Sequence, residues 1–367
     1  MQVKAAAEQP SAQEQKVDTQ RLKRTLASDL QDVFDIDPSV YTGTGSRNGQ
    51  KVFLRGMDDL NLNVQIDGAR QGANLFHHQG RVNVDPFLLK RVTVNAGPAP
   101  ADGGPGALGG SVKFETVDAQ DLLKPGQTAG GRLGVQFESA DHLKSGVGSA
   151  YGLVGGKVGL LAYTRHQLND NVRAGGGETL PSTEGTRGSH LFKISVLEQD
   201  GHSLWASAER NTNEGGYLRA NMPWQTNNAT QALDDQLTTR DTLSLRHRYR
   251  PKGNDLIDLQ TTVYTNDSQI ELYGPNPTGG SRGGLWLTRS SGGDIRNTFN
   301  VSTGHWVHAL TVGLDHFKDN GISDSPADPR LSETATNTGL YLQDRIEIEN
   351  IRLSAGVRVD RYRTRYA

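Results

Sequence analysis

From about residue 130 onward, apolar and polar residues alternate along long segments of the sequence. Residues 242–249 and 351–360 both show this alternation clearly. A period of two places successive side chains on opposite faces of a β-strand. Each of these segments therefore predicts a strand with one apolar face and one strongly polar face, and a charged inner face is unusual for a soluble core.

The length and spacing of these segments narrow the choice of architecture. Several reach about ten residues, which a tilted strand needs to cross a membrane. They are separated by short turns at residues 154–157 and 349–350, and by polar stretches at residues 169–189, 211–236 and 320–337. Short turns on one side and long loops on the other favour an outer-membrane barrel over a soluble sandwich. No run of 18 apolar residues is present, so any crossing must be made by strands.

The first third of the sequence is organised differently. In residues 18–34, apolar residues are spaced by three and four, which predicts one amphipathic helix. Residues 51–55, 62–66 and 91–94 predict short strands between polar or glycine-containing turns. This part of the chain therefore predicts a small mixed α/β domain.

Pro125 and Gly126 interrupt any element that would continue from the first part into the second. We therefore expect three regions: an N-terminal extension at residues 1–16, the α/β domain at residues 17–125 and the strand-rich region at residues 126–367.

Composition and motifs exclude several function classes. Lys and Arg number 39 against 41 Asp and Glu, and no block of like charge occurs, so nucleic acid is not an expected partner. The chain has no cysteine and therefore no thiolate site. Residues 103–110 are glycine-rich but lack the Lys-Ser/Thr ending of a phosphate-binding loop. No motif unites an acid, a base and a nucleophile, so we do not expect an enzyme.

An ordered set of motifs lies within residues 51–123. They read VFLRGM, VQIDGARQ, VDPFLLKRVTV and AGPAPADGGPGALGGSVKFETVDAQDLL. This succession resembles the plug domain of TonB-dependent outer-membrane receptors, and residues 338–360 are similar to a barrel hairpin of that family. The resemblance implies a small mixed α/β plug domain followed by an antiparallel transmembrane β-barrel.

A plugged transporter barrel has about 22 strands of about 10 residues. The chain offers about a dozen candidates, so we expect roughly the first half of the barrel. We also find no signal peptide and no convincing TonB box, and we expect a truncated chain that cannot transport alone.

The resemblance also implies a location, partners and a cargo. The protein is expected in the bacterial outer membrane, in contact with outer-membrane lipid and with a TonB-type energy-transducing protein. Its cargo would be an iron-containing ligand, haem or another ferric chelate, with no permanently bound cofactor. The segment FETVDAQDLL is more similar to the haem and haemoglobin branch than to the siderophore branch.

Two arginines and one set of turn residues in the plug are expected to be structural. Arg55 and Arg91 match the family's paired arginines, which lock the plug to barrel carboxylates, although ordinary surface ion pairs are the alternative. Structural roles in turns, rather than contact with cargo, are expected for Asp67, Gly68, Gly109 and Gly110.

The candidate ligand-binding residues are Phe76, His77 and His78. In the family this loop rises toward the extracellular face, and haem receptors carry a histidine there. Imidazole is a good axial ligand for haem iron, so His77 or His78 would bind the metal while Phe76 lies against the porphyrin. Alternatively, both histidines hydrogen-bond the plug to the barrel. A ferric-siderophore receptor and a structural or adhesive outer-membrane β-protein remain the competing functions.

Overall fold

The computed structural model describes residues 14–17, 19–43, 50–72, 80–97, 99–216, 235–273, 283–325 and 330–366. These residues form a small α/β domain, which we call the plug, and one large antiparallel sheet that holds the plug against its inner face.

In the described ranges, the plug contains three short α-helices, three single turns of 3-10 helix and eight strands. The helices are α1 (Thr19–Thr25), α2 (Leu30–Phe34) and α3 (Ala119–Leu122). The strands are β1 (Glu14–Lys16), β2 (Val40–Gly43), β3 (Lys51–Leu54), β4 (Met57–Asp58), β5 (Leu62–Ile66), β6 (Ala69–Arg70), β7 (Leu89–Ala96) and β8 (Gly110–Thr116). The main sheet has the order β1-β7-β8-β5-β6 and a second sheet the order β2-β3-β4. The strands predicted at residues 51–55, 62–66 and 91–94 are therefore confirmed.

An apolar core holds the plug together. Alternate residues of β7 are buried, among them Val92 and Val94, because one face of the strand meets the helices. Phe34 of α2 packs edge to face on Phe114 of β8, with ring centroids 6.2 Å apart. The helical segment 19–34 is therefore fixed against the sheet by burial of apolar side chains.

The prediction of one helix over residues 18–34 is wrong, because the chain forms two helices with a break between them. Leu26 has φ 55°, and Asp29 is extended at φ −148°. The Asp29 side chain accepts a hydrogen bond from Asp32 N, and the Asp32 side chain accepts one from Asp29 N at 3.4 Å. This capping box starts a new helix at Leu30, which the spacing of apolar residues alone cannot show.

The large sheet has eleven strands in sequence order, and each pairs antiparallel with its neighbours. They are β9 (Ala129–Phe137), β10 (Lys144–Val154), β11 (Val158–Asn169), β12 (Gly185–Gln199), β13 (His202–Gly216), β14 (Asp235–Tyr249), β15 (Leu259–Tyr273), β16 (Gly284–Thr303), β17 (Trp306–Asp324), β18 (Leu331–Ile348) and β19 (Ile351–Tyr366). Within the described ranges, the terminal strands β9 and β19 each have a single neighbour.

The connections between strands differ at the two ends of the strands. One end, which we call the turn side, has the connections at residues 155–157 and 349–350, as predicted. The opposite end, which we call the loop side, has the connection at residues 170–184 and those that follow β13, β15 and β17.

Three loops are shorter in the structure than we predicted. Strand β12 begins at Gly185, β13 continues to Gly216, and only residues 325–330 separate β17 from β18. The ladder continues through residues that are polar on both faces, for example where Asn320 pairs with Thr334. Apolar alternation therefore ends before the strand does.

The two faces of the sheet have the polarity that the alternation predicts. On β14, Leu243 and Leu245 are 57% and 44% exposed, whereas Thr242 on the opposite face is 3% exposed. The apolar side chains thus point away from the plug and the polar ones point toward it, as in a membrane barrel with a filled interior. Across the described ranges, no helix is both long enough and apolar enough to cross a membrane.

Candidate functional site

The plug is seated on the inner face of the sheet mainly through polar side chains. Buried cations of the sheet lie opposite carboxylates and carbonyls of the plug at several heights. Buried charges require such partners, because desolvation would otherwise be too costly. The geometry of these contacts determines how firmly the plug is held and at which points.

Lys193 of β12 makes the most extensive of these contacts. Its ammonium is 1% exposed and lies 3.2 Å from Asp67 and 3.0 Å from Asp118. It also donates to the backbone oxygen of Thr116 at 3.0 Å. Burial alone would raise the pKa of the Asp67 carboxyl, but Lys193, Arg246 and the hydrogen bonds from Thr116 hold that pKa below its ordinary value. Both carboxylates are therefore charged, and one lysine joins two separate turns of the plug to the sheet.

A second buried pair joins Arg165 of β11 to Asp85 of the plug. The guanidinium lies 2.9 Å from one Asp85 oxygen, and each side chain is 1% exposed. Tyr163 donates to the other oxygen at 2.7 Å. The guanidinium also stacks 4.1 Å from the ring centroid of Phe87, which follows Asp85 in the plug. These contacts fix residues 85–87 in both position and orientation.

Two further ion pairs lie on the other half of the sheet. Arg345 of β18 makes a bidentate pair with Asp102 of the plug, with both distances 2.8 Å. Arg70 of the plug lies 3.0 Å from Asp319 of β17 and 3.8 Å from the ring centroid of Phe317. The plug is thus tied to both halves of the sheet.

Residues 68–72 of the plug run along the inner face of the sheet in the direction from the turn side to the loop side. A side chain at Gly68 would meet Thr262, whereas one at Gly72 would meet Thr288. Thr288 pairs with Ser268, which lies farther than Thr262 toward the loop side of β15. The chain therefore approaches residue 73 moving toward the loop side.

Residues 80–83, which follow in the plug, also lie toward the loop side. Arg240 of β14 donates to the backbone oxygen of Asn83 at 2.6 Å, and Arg240 lies in the loop-side half of its strand. Gly80 is packed so closely on Gln50 that any side chain there would collide with the Gln50 backbone. Arg81 donates to Gln71 O at 3.0 Å, which joins the two ends of the segment. Gly72, Gly80 and Arg81, the described residues on either side of this segment, therefore lie in the loop-side part of the plug.

The candidate ligands Phe76, His77 and His78 lie outside the described residues. Within the ranges that the structure describes, no group of three or more His, Asp or Glu side chains is arranged to hold a metal ion.

The structure places the other predicted site residues as follows. Arg55 is exposed at φ 49° in the turn between β3 and β4. Arg91 of β7 lies 3.7 Å from Glu115 of β8, within the plug. The lock of both arginines to barrel carboxylates stays a prediction. The described ties between plug and sheet are made by other residues, including Arg165 and Lys193.

The predicted turn residues have specific conformations. Asp67 and Gly68 form the turn between β5 and β6, with φ 47° and 80°. Gly110 has φ 128°, and a side chain there would lie 2.1 Å from Asn95 O; one at Gly109 would lie 2.8 Å from Met57 Cβ. Asp67 also pairs with Lys193, so this turn residue carries a contact with the sheet as well.

The sequence did not lead us to the cations on the inner face of the large sheet or to their partners in the plug. Lys193, Arg165, Arg240 and Arg345 all occupy polar positions of alternating strands. The available signal was the occurrence of long cationic side chains on the face opposite the apolar one. Their partners could not be inferred, because pairing depends on how the plug is seated.

A cavity of about 430 Å³ remains between the plug sheet and the strands. Its walls include Thr93 and Lys113 of the plug, and Arg246, Gln260 and Arg296 of the large sheet. Polar walls allow water to enter, so the plug and the sheet are not sealed together over their whole contact.

Comparisons with known proteins agree with this architecture. Residues 6–111 match the family model described as the TonB-dependent receptor plug domain, and residues 187–367 match that of the TonB-dependent receptor-like β-barrel. The heme transporter BhuA of Brucella ovis is 30% identical over 348 residues, which cover 92% of this chain and 50% of the relative. The hemin receptor of Yersinia enterocolitica is 30% identical over 92% of this chain and 48% of its own length. The chain thus spans about half the length of these relatives.

Solved structures show the same fold. The FrpB iron transporter of Neisseria meningitidis aligns with a TM-score of 0.82 at 22% identity, over 96% of this chain and 60% of that one. The hemophore receptor HasR of Serratia marcescens, solved as a double mutant with its hemophore HasA and heme, aligns with a TM-score of 0.80 at 20% identity, over 95% of this chain and 52% of that one. With a plug domain followed by an antiparallel barrel sheet, the chain belongs to the family of TonB-dependent receptors.

Proposed function

We propose that this outer-membrane chain takes part in TonB-dependent uptake of haem, with His77 or His78 as the plug ligand of the iron. The observation that carries the proposal is the position of the flanking residues: Gly72 packs near Thr288 toward the loop side, and Arg81 donates to Gln71 O. Loops of outer-membrane barrels extend outward from that side, so a ligand arriving from outside would approach the plug from the side of Gly72 and Arg81.

Two relatives that align with 92% of the chain are named for haem or hemin, which supports this cargo. A neutral imidazole binds haem iron well, and Phe76 beside it would cover part of the porphyrin. A structural or adhesive role is less consistent with the molecule, because it would not require a plug tied to the lumen by buried ion pairs such as Arg165–Asp85.

Energy for transport would come from a TonB-type protein that pulls on the N-terminal segment. Strand β1 is one edge strand of the main plug sheet, and its ladder with β7 has three residue pairs, followed by a hydrogen bond from Val17 N to Val92 O. Such a short ladder is easily separated, and the plug beyond it is held by polar contacts that water can replace. The cavity beside β7 and β8 gives the plug room to shift.

A titration of the receptor with haemin, followed at the Soret band, tests the ligand assignment. We expect a shift in the wild type and its loss in His77→Ala/His78→Ala. The matched control is His142→Ala, because His142 is also a loop-side histidine and is exposed. A shift retained in the double variant would remove these histidines from the site. The absence of any shift in the wild type would favour a ferric siderophore as cargo.

A further inference from the structure

The cavity between the plug and the large sheet has one wall formed by a single row of polar residues. These residues are direct partners across four ladders of the main plug sheet, from β1 to β6: Lys16, Thr93, Lys113, Gln65 and Arg70. All five line the cavity. Adjacent residues along the strands, such as Val92 and Val94, point to the opposite face and are buried in the apolar core. The plug therefore presents to the cavity a row in which cations alternate with neutral polar side chains.

The facing wall of the cavity is also polar and lies toward the turn side of the large sheet. Arg246 is near the turn-side end of β14, and its direct partner Thr262 is near the turn-side start of β15. Gln260 of β15 and Arg296 of β16 are likewise direct partners, and all four residues line the cavity. Strands β14, β15 and β16 each have a neighbour on both sides. This wall therefore does not depend on the terminal strands of the sheet.

The carboxylates around the cavity already have cationic partners. Among the described lining residues, six are acidic and each lies at most 3.9 Å from an arginine: Asp102, Glu115, Asp258, Asp294, Asp315 and Glu347. Nine Lys and Arg side chains line the same cavity. Its walls therefore carry a net positive charge, and paired carboxylates repel an incoming anion less than isolated ones would.

Arg246 differs from the two other arginines of the same wall, which pair with aspartates. Within the described residues, Arg246 makes no ion pair or hydrogen bond, and its Nε is buried without a partner. Its guanidinium lies 4.3 Å from the ring centroid of Trp205. The charge of Arg246 acts on Asp67, but Lys193 forms the ion pair with that carboxylate. A guanidinium that is held by an aromatic ring and keeps its N–H groups free suits a carboxylate, which it binds through two parallel hydrogen bonds.

From these observations we infer that the cavity is an anion-binding site, anchored by Arg246, that receives the carboxylates of the cargo on the turn side of the plug. The hydroxyls of Thr93 and Thr262 lie on its two walls and add hydrogen-bond donors. The turn side faces the periplasm, so cargo would reach this site after leaving the loop-side part of the plug. The inference rests on the proposed function, in which the cargo is haem and the bound groups are its two propionates.

The charge selectivity of a single cysteine in the cavity tests this inference without any cargo. Gln260→Cys is introduced into a receptor with a closed barrel and no other cysteine, and its reaction rates with a negatively and a positively charged methanethiosulfonate are compared. The matched control is Thr303→Cys, at the exposed turn between β16 and β17. Relative to this control, we expect about a tenfold preference for the negative reagent, because a cationic cleft concentrates anions. Arg246→Gln should lower the preference roughly threefold or more, and Arg246→Lys should retain it.

Equal relative rates at the two positions, or a preference that survives unchanged in Arg246→Gln, would overturn the inference. A second arm uses Gln260→Cys alone and so does not depend on folding of an Arg246 variant. There, the preference should fall as the salt concentration rises from about 0.01 M to about 1 M, because the screening length shortens from about 30 Å to about 3 Å. A preference that does not change with salt would also overturn the inference.

Haemin measurements with Arg246→Gln connect the cavity to the cargo and separate the two proposals. We expect an unchanged Soret shift but roughly tenfold slower uptake by cells, because a charge-assisted hydrogen bond to the cargo is lost. Arg246→Lys should restore part of the uptake, and Arg289→Gln, which removes an outward arginine paired with Asp267, should keep all of it. A normal Soret shift with normal uptake in Arg246→Gln would overturn the role of the cavity alone. No Soret shift in the wild type would instead overturn the proposed function and leave the charge selectivity of the cavity intact.

Discussion

At the scale of single residues, the contact between plug and sheet depends on buried charges whose partners come from distant parts of the chain. Lys193 is the clearest case, because it lies between Asp67 and Asp118 and is almost completely buried. Alternation along β12 predicts that Lys193 faces the polar side of the sheet. It does not predict which plug carboxylates it meets, since they come from turns 126 and 75 residues away in sequence.

Replacing Lys193 by Met should loosen the plug locally. Removing one partner of a buried pair costs about 3–5 kcal/mol, because charged carboxylates remain in a site that excludes water. We expect amide exchange in β8 to become faster by roughly a hundredfold or more. The matched control is Lys157→Met in an exposed turn, which should leave these rates unchanged. Unaltered exchange in the Lys193 variant would show that this lysine does not hold the plug.

The destabilisation caused by the loss of Lys193 should depend on pH. The pKa of Asp67 and that of Asp118 are both held below their ordinary values, despite burial, by Lys193 and other partners. A lowered folded pKa contributes stability above the unfolded value, near pH 3.9, and this stability is lost as the pH falls through the folded pKa. The difference between wild type and Lys193→Met should thus be largest at neutral pH and shrink in acid. A difference in urea midpoint that is constant from pH 7 to pH 3 would contradict this assignment.

Asp59 should have the opposite pH dependence. Burial raises the pKa of its carboxyl from 3.8 to about 6, although Arg81 and Lys51 lie nearby. A raised pKa contributes stability that is fully present below the unfolded value and lost as the pH rises through the folded value. The urea midpoint of Asp59→Asn relative to wild type should therefore rise between pH 4 and pH 6. A flat difference over that range would exclude a raised pKa.

At the scale of elements, the strands were predicted more reliably than their ends. The turn at residues 349–350 and the strands of the plug follow from local pattern and turn chemistry. The loop predicted at residues 320–337 was wrong because β17 and β18 extend beyond the apolar band, where both faces are polar. The break between α1 and α2 was missed because it rests on a capping box within an apolar periodicity.

A force that pulls on the N-terminal segment should act first on strand β1. Lys16 and Thr93 are direct partners in the β1–β7 ladder, which suits a disulfide between cysteines at these two positions. Because the chain contains no cysteine, the variant Lys16→Cys/Thr93→Cys could form only this disulfide within the chain. We expect this crosslink to block uptake of haem while leaving its binding intact, and we expect reduction to restore uptake. Full uptake with the disulfide closed would contradict the role of β1.

The control for this crosslink joins two neighbouring barrel strands. Thr298 of β16 and Thr311 of β17 are direct partners near the turn side, and their hydroxyls lie 2.9 Å apart. A disulfide at this position should leave both binding and uptake unchanged, because the proposed movement involves only the plug.

At the scale of the whole molecule, the distribution of polarity accounts for the architecture. Apolar residues of the large sheet face outward and polar residues face a plug that fills the interior, the reverse of a soluble protein. Alternation therefore predicted the membrane-facing surface and the presence of a polar interior. The seating of the plug could not be predicted, because it depends on contacts such as Arg345–Asp102 between residues 243 positions apart.

The most direct test of the account is energy-dependent uptake of radiolabelled haemin by cells that carry a receptor in which this chain forms part of a closed barrel. We expect uptake with the wild type and an intact TonB-type protein, and its loss in His77→Ala/His78→Ala or when that protein is disabled. His142→Ala should transport normally. Undiminished uptake by the double histidine variant, or uptake without the TonB-type protein, would contradict the central claim that the plug binds haem and is moved by an inner-membrane motor.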